Sequence, residues 1–326
     1  MTLNRLLTIG LALVTASLPL SAKAGDYYSG KDVFDKEPLA LDDPFADTIR
    51  PISNPTLFDS PIPRNYIHGI YIHNDFPGFI DTVAGNVPID GEFEVYAVGL
   101  ELALTDRLAI NATKDGYIFV SPDSTLTRAE GFANVAAGIK YAWLINPEKE
   151  VASAINLNYE IPLGHTEVFQ GEGDGVIIPS VSTLKNFGNL QLINQTGFKL
   201  PIDTDSESSK FYTSFHASFP LTDWFHPIFE VNYFRVLNAG DGSPRFGEQA
   251  GGAVPSLPTF EAGDLLNFGG ANSEINPDFV SAALGFRIVN PKASKTSVGF
   301  AWETPLTPIE ESIMHNRFTI DFTVQF

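Results

Sequence analysis

Three side chains in this sequence stand nearest to a reaction: His216, Ser218 and Glu230. His216 and Ser218 are two residues apart, so a strand carries them on one face. The Leu221-Thr222-Asp223 turn folds the chain back and sets His226 and Glu230 on the neighbouring strand. A carboxylate that orients a histidine beside a hydroxyl is what acyl transfer requires. The same residues also make an ordinary hydrogen-bonded cluster. The elements that hold them decide between the two.

Other chemistry is sparser. His68 and His73 fall on opposite faces of one strand, so they do not converge on a metal. Asp203, Asp205 and Glu207 offer the carboxylate oxygens that calcium takes, at a spacing that equally fits a solvated loop. GEGDG at 171–175 and AGDGSP at 239–244 carry no basic residue and open no helix, so neither is a phosphate loop. No cofactor, metal site or catalytic residue is expected from these patterns.

The elements come next. Arg5, the apolar run 6–20 and Ala22-Lys23-Ala24 read as a secretory signal peptide over 1–24. No later stretch reaches the about 18 apolar residues of a helical span. An exported chain without cysteine has no disulfide and no thiolate metal site. A net charge of −19 repels polyanions and excludes nucleic acid as a partner. Twenty-six Phe and ten Tyr against twenty Lys plus Arg make an aromatic-rich chain. Without helical spans, a closed barrel is the remaining way through a bilayer.

Period-2 alternation supplies the strands. In RFTIDFTVQF, Phe318, Ile320, Phe322, Val324 and Phe326 share one face, and Arg317, Thr319, Asp321, Thr323 and Gln325 the other. That is a full membrane-spanning strand. The pattern recurs over 92–104, 132–144, 150–161, 208–219, 225–236, 278–289 and 294–303. Outer-membrane barrels place short turns on the periplasmic side and long loops outside. Two Leu-Thr-Asp turns, at 104–106 and 221–223, must then both be periplasmic. This is satisfied only if 176–185 is a strand despite Pro179, which removes a ladder donor. The expectation is an all-β fold: a transmembrane antiparallel outer-membrane barrel of 12 strands over 66–326, with a long external loop at 237–277. Residues 25–65, acidic and Pro-rich, are expected to be a periplasmic leader or an N-terminal plug.

Parity sends one set of polar residues inward. Glu101, Lys140, Glu160, Lys199, His216, His226, Glu230, Arg287, Glu303 and Asp321 are the expected lumen lining. Charges of mixed sign there would either line a pore or pair across it.

The Leu-Thr-Asp-Arg turn between strands at 102–110, its echo at 219–230, the signal peptide and the terminal Phe resemble an outer-membrane transporter family associated with the meta-pathway of phenol degradation. The resemblance covers roughly 92–326. It implies an uptake role for aromatic or hydrocarbon solutes and no catalytic residue. His216-x-Ser218 with the later Glu230 is similar to lipid A deacylase barrels, but Phe219 stands where those enzymes carry Asn. The favoured function is therefore passive uptake of small, apolar or aromatic solutes. A structural barrel without transport is the alternative, and a lipid hydrolase the third. Expected partners are outer-membrane lipids and lipopolysaccharide, the solute, and the barrel-assembly machinery through the strand ending at Phe326.

Overall fold

The computed structural model describes residues 45–81, 85–240, 265–266, 278–290 and 296–326. The signal segment 1–24, the leader up to residue 44, most of the 237–277 loop and the turn after Asn290 lie outside the described residues.

Twelve antiparallel strands close into a barrel. They are β1 (Tyr66–Asp75), β2 (Gly91–Ala103), β3 (Leu108–Lys114 continued by Tyr117–Pro122) and β4 (Ala129–Phe132 continued by Val135–Asn146). Then follow β5 (Val151–Ile161), β6 (Val176–Phe187), β7 (Leu190–Pro201) and β8 (Ser209–Ser218). The last four are β9 (Phe225–Asn238), β10 (Asp278–Val289), β11 (Thr296–Pro305) and β12 (Asn316–Gln325). Each strand pairs with its neighbours in sequence, and β1 closes the ring against β12 from Tyr66↔Gln325 to Asp75↔Asn316. Closure leaves no edge strand to be satisfied by lipid.

Alternation along each strand sorts the faces. Leu102, Ile139, Tyr141, Ile155, Leu157, Leu284 and Phe322 all point outward and are exposed. Such a continuous apolar surface would aggregate in water and is the belt a bilayer requires. On this face Phe225, Phe286, Phe300 and Phe318 form a ladder across β9 to β12, with ring centroids 5.4, 5.7 and 6.2 Å apart.

The connections differ between the two ends. Short turns join β2 to β3, β4 to β5, β6 to β7 and β8 to β9. In the first Leu-Thr-Asp turn Thr105 Oγ1 accepts the amides of Arg107 and Leu108. In the second, Thr222 Oγ1 accepts those of Trp224 and Phe225. The repeated sequence is thus a repeated local cap, with Thr as the acceptor. Pro179 does sit inside β6. The β6–β7 register skips from Ile177↔Leu200 to Ser180↔Gly197, so the missing donor falls in a gap of that ladder.

The wall carries several register shifts, one of them between β2 and β3. β2 pairs with β3 as Leu100↔Ala112 on one side of Asp115-Gly116 and as Tyr96↔Tyr117 on the other. The register therefore gains one residue on β3, as in a bulge. Asp115 Oδ1 accepts the Val98 amide at 2.8 Å in place of a backbone carbonyl. Gly116 has φ +119°, and a Cβ there would lie 2.6 Å from the Tyr96 carbonyl oxygen, so only glycine fits.

Candidate functional site

Residues Phe45–Asn65 run inside the barrel. The sequence predisposes them to this: Pro51, Pro55, Pro61 and Pro63 prevent a helix and lack the donors for a ladder. Their backbone groups take partners from side chains of the wall instead, as buried amides must. Gln191 accepts the Ile49 amide at 3.0 Å and donates to the Ile49 carbonyl at 2.7 Å. Glu230 accepts the amides of Ile52 and Ser53 at 3.0 and 2.7 Å. Gln195 accepts from Asp59, and Glu101 from Arg64. Arg64 also donates to the Phe45 carbonyl, drawing the two ends of the segment together.

All ten expected lining residues are buried in the interior. The structure gathers nine of them into five groups and leaves His226 apart from these. Lys140 Nζ bridges Glu101 at 2.6 Å and Asp59 at 2.8 Å. Asp59 receives Arg50 and Tyr66 as well. Burial pushes the Asp59 carboxyl up, but the charges of Lys140 and Arg50 outweigh it and hold the group well below the usual carboxylate range. Arg287 donates to Asp321 at 2.7 Å, and His68 Nδ1 meets the other oxygen of Asp321 at 2.6 Å. Glu303 accepts from Asn232 at 2.8 Å and from Ser281, with Arg317 Nη1 3.8 Å away. Glu160 lies between Lys114 at 2.5 Å and Lys199 at 3.6 Å. His226 lies at the short-turn end of β9, with Asp47 and Arg287 as its charged neighbours.

His216 and Glu230 meet at 2.7 Å, as the orienting half of a triad would. The other half is not assembled. Neither His216 Nε2 nor Ser218 Oγ has a hydrogen-bond partner among the described residues, so base and hydroxyl are not joined. Glu230 is engaged by the internal segment, and Phe58 packs edge-on against His216 at 6.5 Å. In the 203–207 loop, Asp203 spends its carboxylate on the turn: it accepts the amides of Asp205 and Ser206 and the Ser206 hydroxyl. Those bonds to Ser206 and Asp205 lower its pKa. A calcium would have to compete with them.

The long-loop half of the interior is different. Ile70, Ile72, Phe76, Phe93, Val95, Ile118, Phe169, Tyr212 and Phe234 form one buried apolar cluster, joined by Leu265 and Leu266 from the long loop. Phe76 is part of it, Phe79 is exposed outside it, and Phe268 lies outside the described residues. A narrow cleft within this cluster runs from Ile70, Ile72 and Val95 to Val98, Gly99 and Asp115 at the irregular wall. Sequence reasoning missed Arg50, Asp59, Lys114 and Lys210 as members of the interior. Lys210 shares the inward parity of its strand, which is the signal that would have found it, whereas Lys114 lies past a register shift and is out of phase with the inward Ala109 and Asn111. Arg50 and Asp59 sit in an aperiodic segment and carry no such signal.

The sequence matches no family model and no curated protein. The fold is similar to that of the COG4313 outer membrane channel from Pseudomonas putida F1. Identity is 11% over 81% of this chain and 96% of that one, with a TM-score of 0.56. The NanC porin is matched at 5% identity over 80% and 100%, with a TM-score of 0.47. The beta domain of the Bordetella autotransporter BrkA is matched at 8% identity over 81% and 100%, with a TM-score of 0.45. At these identities the likeness is one of fold. Closed ring, apolar belt and unequal ends together make the chain an outer-membrane β-barrel of the Gram-negative envelope.

Proposed function

We propose that the barrel is a gated channel for small apolar or aromatic solutes, occluded at rest by residues 45–65. The observation that carries this is the pairing of that segment with the wall. It is held by polar side chains along the short-turn half, while the long-loop half offers an apolar cluster. A channel of this kind admits an apolar solute from outside, and the segment must shift to release it. The irregular wall between β2 and β3 supports a route for such solutes between the cleft and the bilayer. The aromatic residues of the cluster support the aromatic substrates that the sequence resemblance implies. Lipid and lipopolysaccharide surround the belt, and the strand ending at Phe326 is the segment we assign to the assembly machinery.

The test compares the full chain with one lacking residues 45–64, by planar-bilayer conductance and by uptake of an aromatic hydrocarbon into proteoliposomes. Deletion is expected to raise conductance and to speed uptake. Unchanged conductance on deletion would sink the occlusion. A structural barrel without transport is the second reading, favoured by the filled interior. It predicts no conductance and no uptake from either protein.

A further inference from the structure

His73 points away from the interior. Outward parity puts it with Asp75 on the lipid-facing side of β1, at the long-loop end. The ladder sets Glu94 directly opposite His73, and Glu92 directly opposite Asp75, on β2. A single imidazole therefore faces three carboxylates. Its Nε2 lies 3.1 Å from Asp75 Oδ1 and 3.7 Å from Glu92 Oε2, and its Nδ1 lies 3.9 Å from Glu94 Oε1. Two conflicts are built into this arrangement. Like charges directly opposite each other on paired strands repel, and Asp75 and Glu92 are such a pair. A neutral imidazole has one donor and one acceptor nitrogen, so either tautomer turns a lone pair toward a carboxylate. Protonating the ring answers the second conflict but leaves the carboxylates outnumbering one positive charge. A divalent cation on Nε2 answers both.

We propose that His73, Asp75 and Glu92 bind one divalent transition-metal ion of the zinc class, with Glu94 orienting the histidine. The candidate ligand atoms all lie within 4.8 Å of one another. An ion about 2.0–2.2 Å from each needs them about 3–4 Å apart, and the two distances from Nε2 are already in that range. Glu94 Oε1 accepts the Tyr71 hydroxyl at 2.5 Å, which holds the carboxylate beside Nδ1. A hydrogen on Nδ1 directed at Glu94 leaves the Nε2 lone pair for the metal, as outer carboxylates do for histidine ligands generally. The imidazole selects the ion. Nitrogen together with carboxylate suits zinc, nickel or copper, whereas calcium and magnesium take oxygen ligands. The remaining coordination positions face outward, because the Asp75 and Glu92 side chains are 36% and 49% exposed. The level of the site follows from Tyr71 and Tyr96, whose rings lie 5.0 Å apart one outward position nearer the membrane centre. Aromatic girdles mark the membrane interface, so the ion lies just beyond it, at headgroup depth. The site is separate from the lumen and stands whether or not the barrel transports. Sequence spacing hides it, because His68 lies on the other face and only the β1–β2 register brings Glu92 and Glu94 to His73.

The test titrates zinc chloride into the untagged full chain in detergent, after chelator treatment, by isothermal calorimetry. Visible absorption with cobalt(II) chloride gives a second reading. A single ion per chain is expected, with calcium chloride binding at least about tenfold more weakly. His73→Ala is expected to abolish zinc binding and to remove the cobalt band. Glu92→Gln should weaken zinc at least about tenfold. Glu94→Gln should weaken it about 10- to 100-fold while the cobalt band stays in place, as loss of an orienting group does. Asp203→Asn, in the separate acidic loop, should change nothing. The substituted side chains lie outside the packed interior, and heat-modifiability in gels is the folding control. No zinc binding, calcium as tight as zinc, or unchanged affinity in His73→Ala overturns the proposal, as does loss of binding in Asp203→Asn instead. Unchanged affinity in Glu94→Gln overturns the orienting role given to Glu94.

Discussion

Glu230 accepts three hydrogen bonds at once: two from the amides of Ile52 and Ser53 and one from His216. Replacing it with Ala strands those donors at a cost of about 1–3 kcal/mol each if they stay buried. The expected outcome is release of the segment, seen as higher conductance and as new protease cleavage between residues 45 and 65. Retained occlusion in Glu230→Ala would refute the anchor. Asp59 gives a pH dependence. Its carboxyl is held below the ordinary range in the folded chain, so the stability it contributes is complete above the unfolded value of about 4. That stability is lost as pH falls through the lower folded value. The contribution of Asp59 to docking of the segment should therefore be lost on acidification below about pH 4. Conductance against pH measures this, and Asp59→Asn should abolish the dependence. At this scale the wall residues were legible because period 2 fixes every face once one is known. Asp59 and Arg50 were not, since their partners lie far away in sequence and no period connects them.

Among the elements, β3 departs most from expectation. Regular alternation holds from Leu108 to Ala112 and from Tyr117 to Val120, but the register shifts between Ala112 and Lys114. The cue was Asp115-Gly116, a turn-forming pair inside an apolar run, which also marks bulges. Gly116→Val combines a positive φ with a Cβ 2.6 Å from a carbonyl oxygen, a strain of about 1–3 kcal/mol. It should lower the unfolding temperature in detergent and slow solute uptake more than Gly69→Val, where a Cβ meets nothing within 4 Å. Equal effects from both variants would remove the wall irregularity from the transport route. β6 was legible by a different argument: the alternation of 176–185 was interrupted by Pro179, and the need to keep both Leu-Thr-Asp turns on one side restored it. Topology outweighed local propensity there because a closed ring admits only an even count when both ends share a side.

For the whole molecule, the unequal ends set an orientation. Protease added to intact cells should cut within 237–277 and spare 104–106 and 221–223. Cleavage of those turns from outside would invert the topology. Twelve strands, the belt and the closure were legible because membrane barrels obey few rules strictly. The content of the interior was not, because what fills a barrel is decided by contacts between distant segments. The internal segment has one more property. Its ends, Phe45 and Arg64, are joined at the short-turn side, while its middle, near Leu57, reaches the apolar cluster. It is a loop pushed in from one side, not a strand threaded through. A ring already sealed between its first and last strands can accept such a loop afterwards, without being reopened. Barrel closure and lumen filling thus rest on separate sets of contacts: a strand ladder between β1 and β12 for the first, and side chains of the wall on the backbone of the segment for the second.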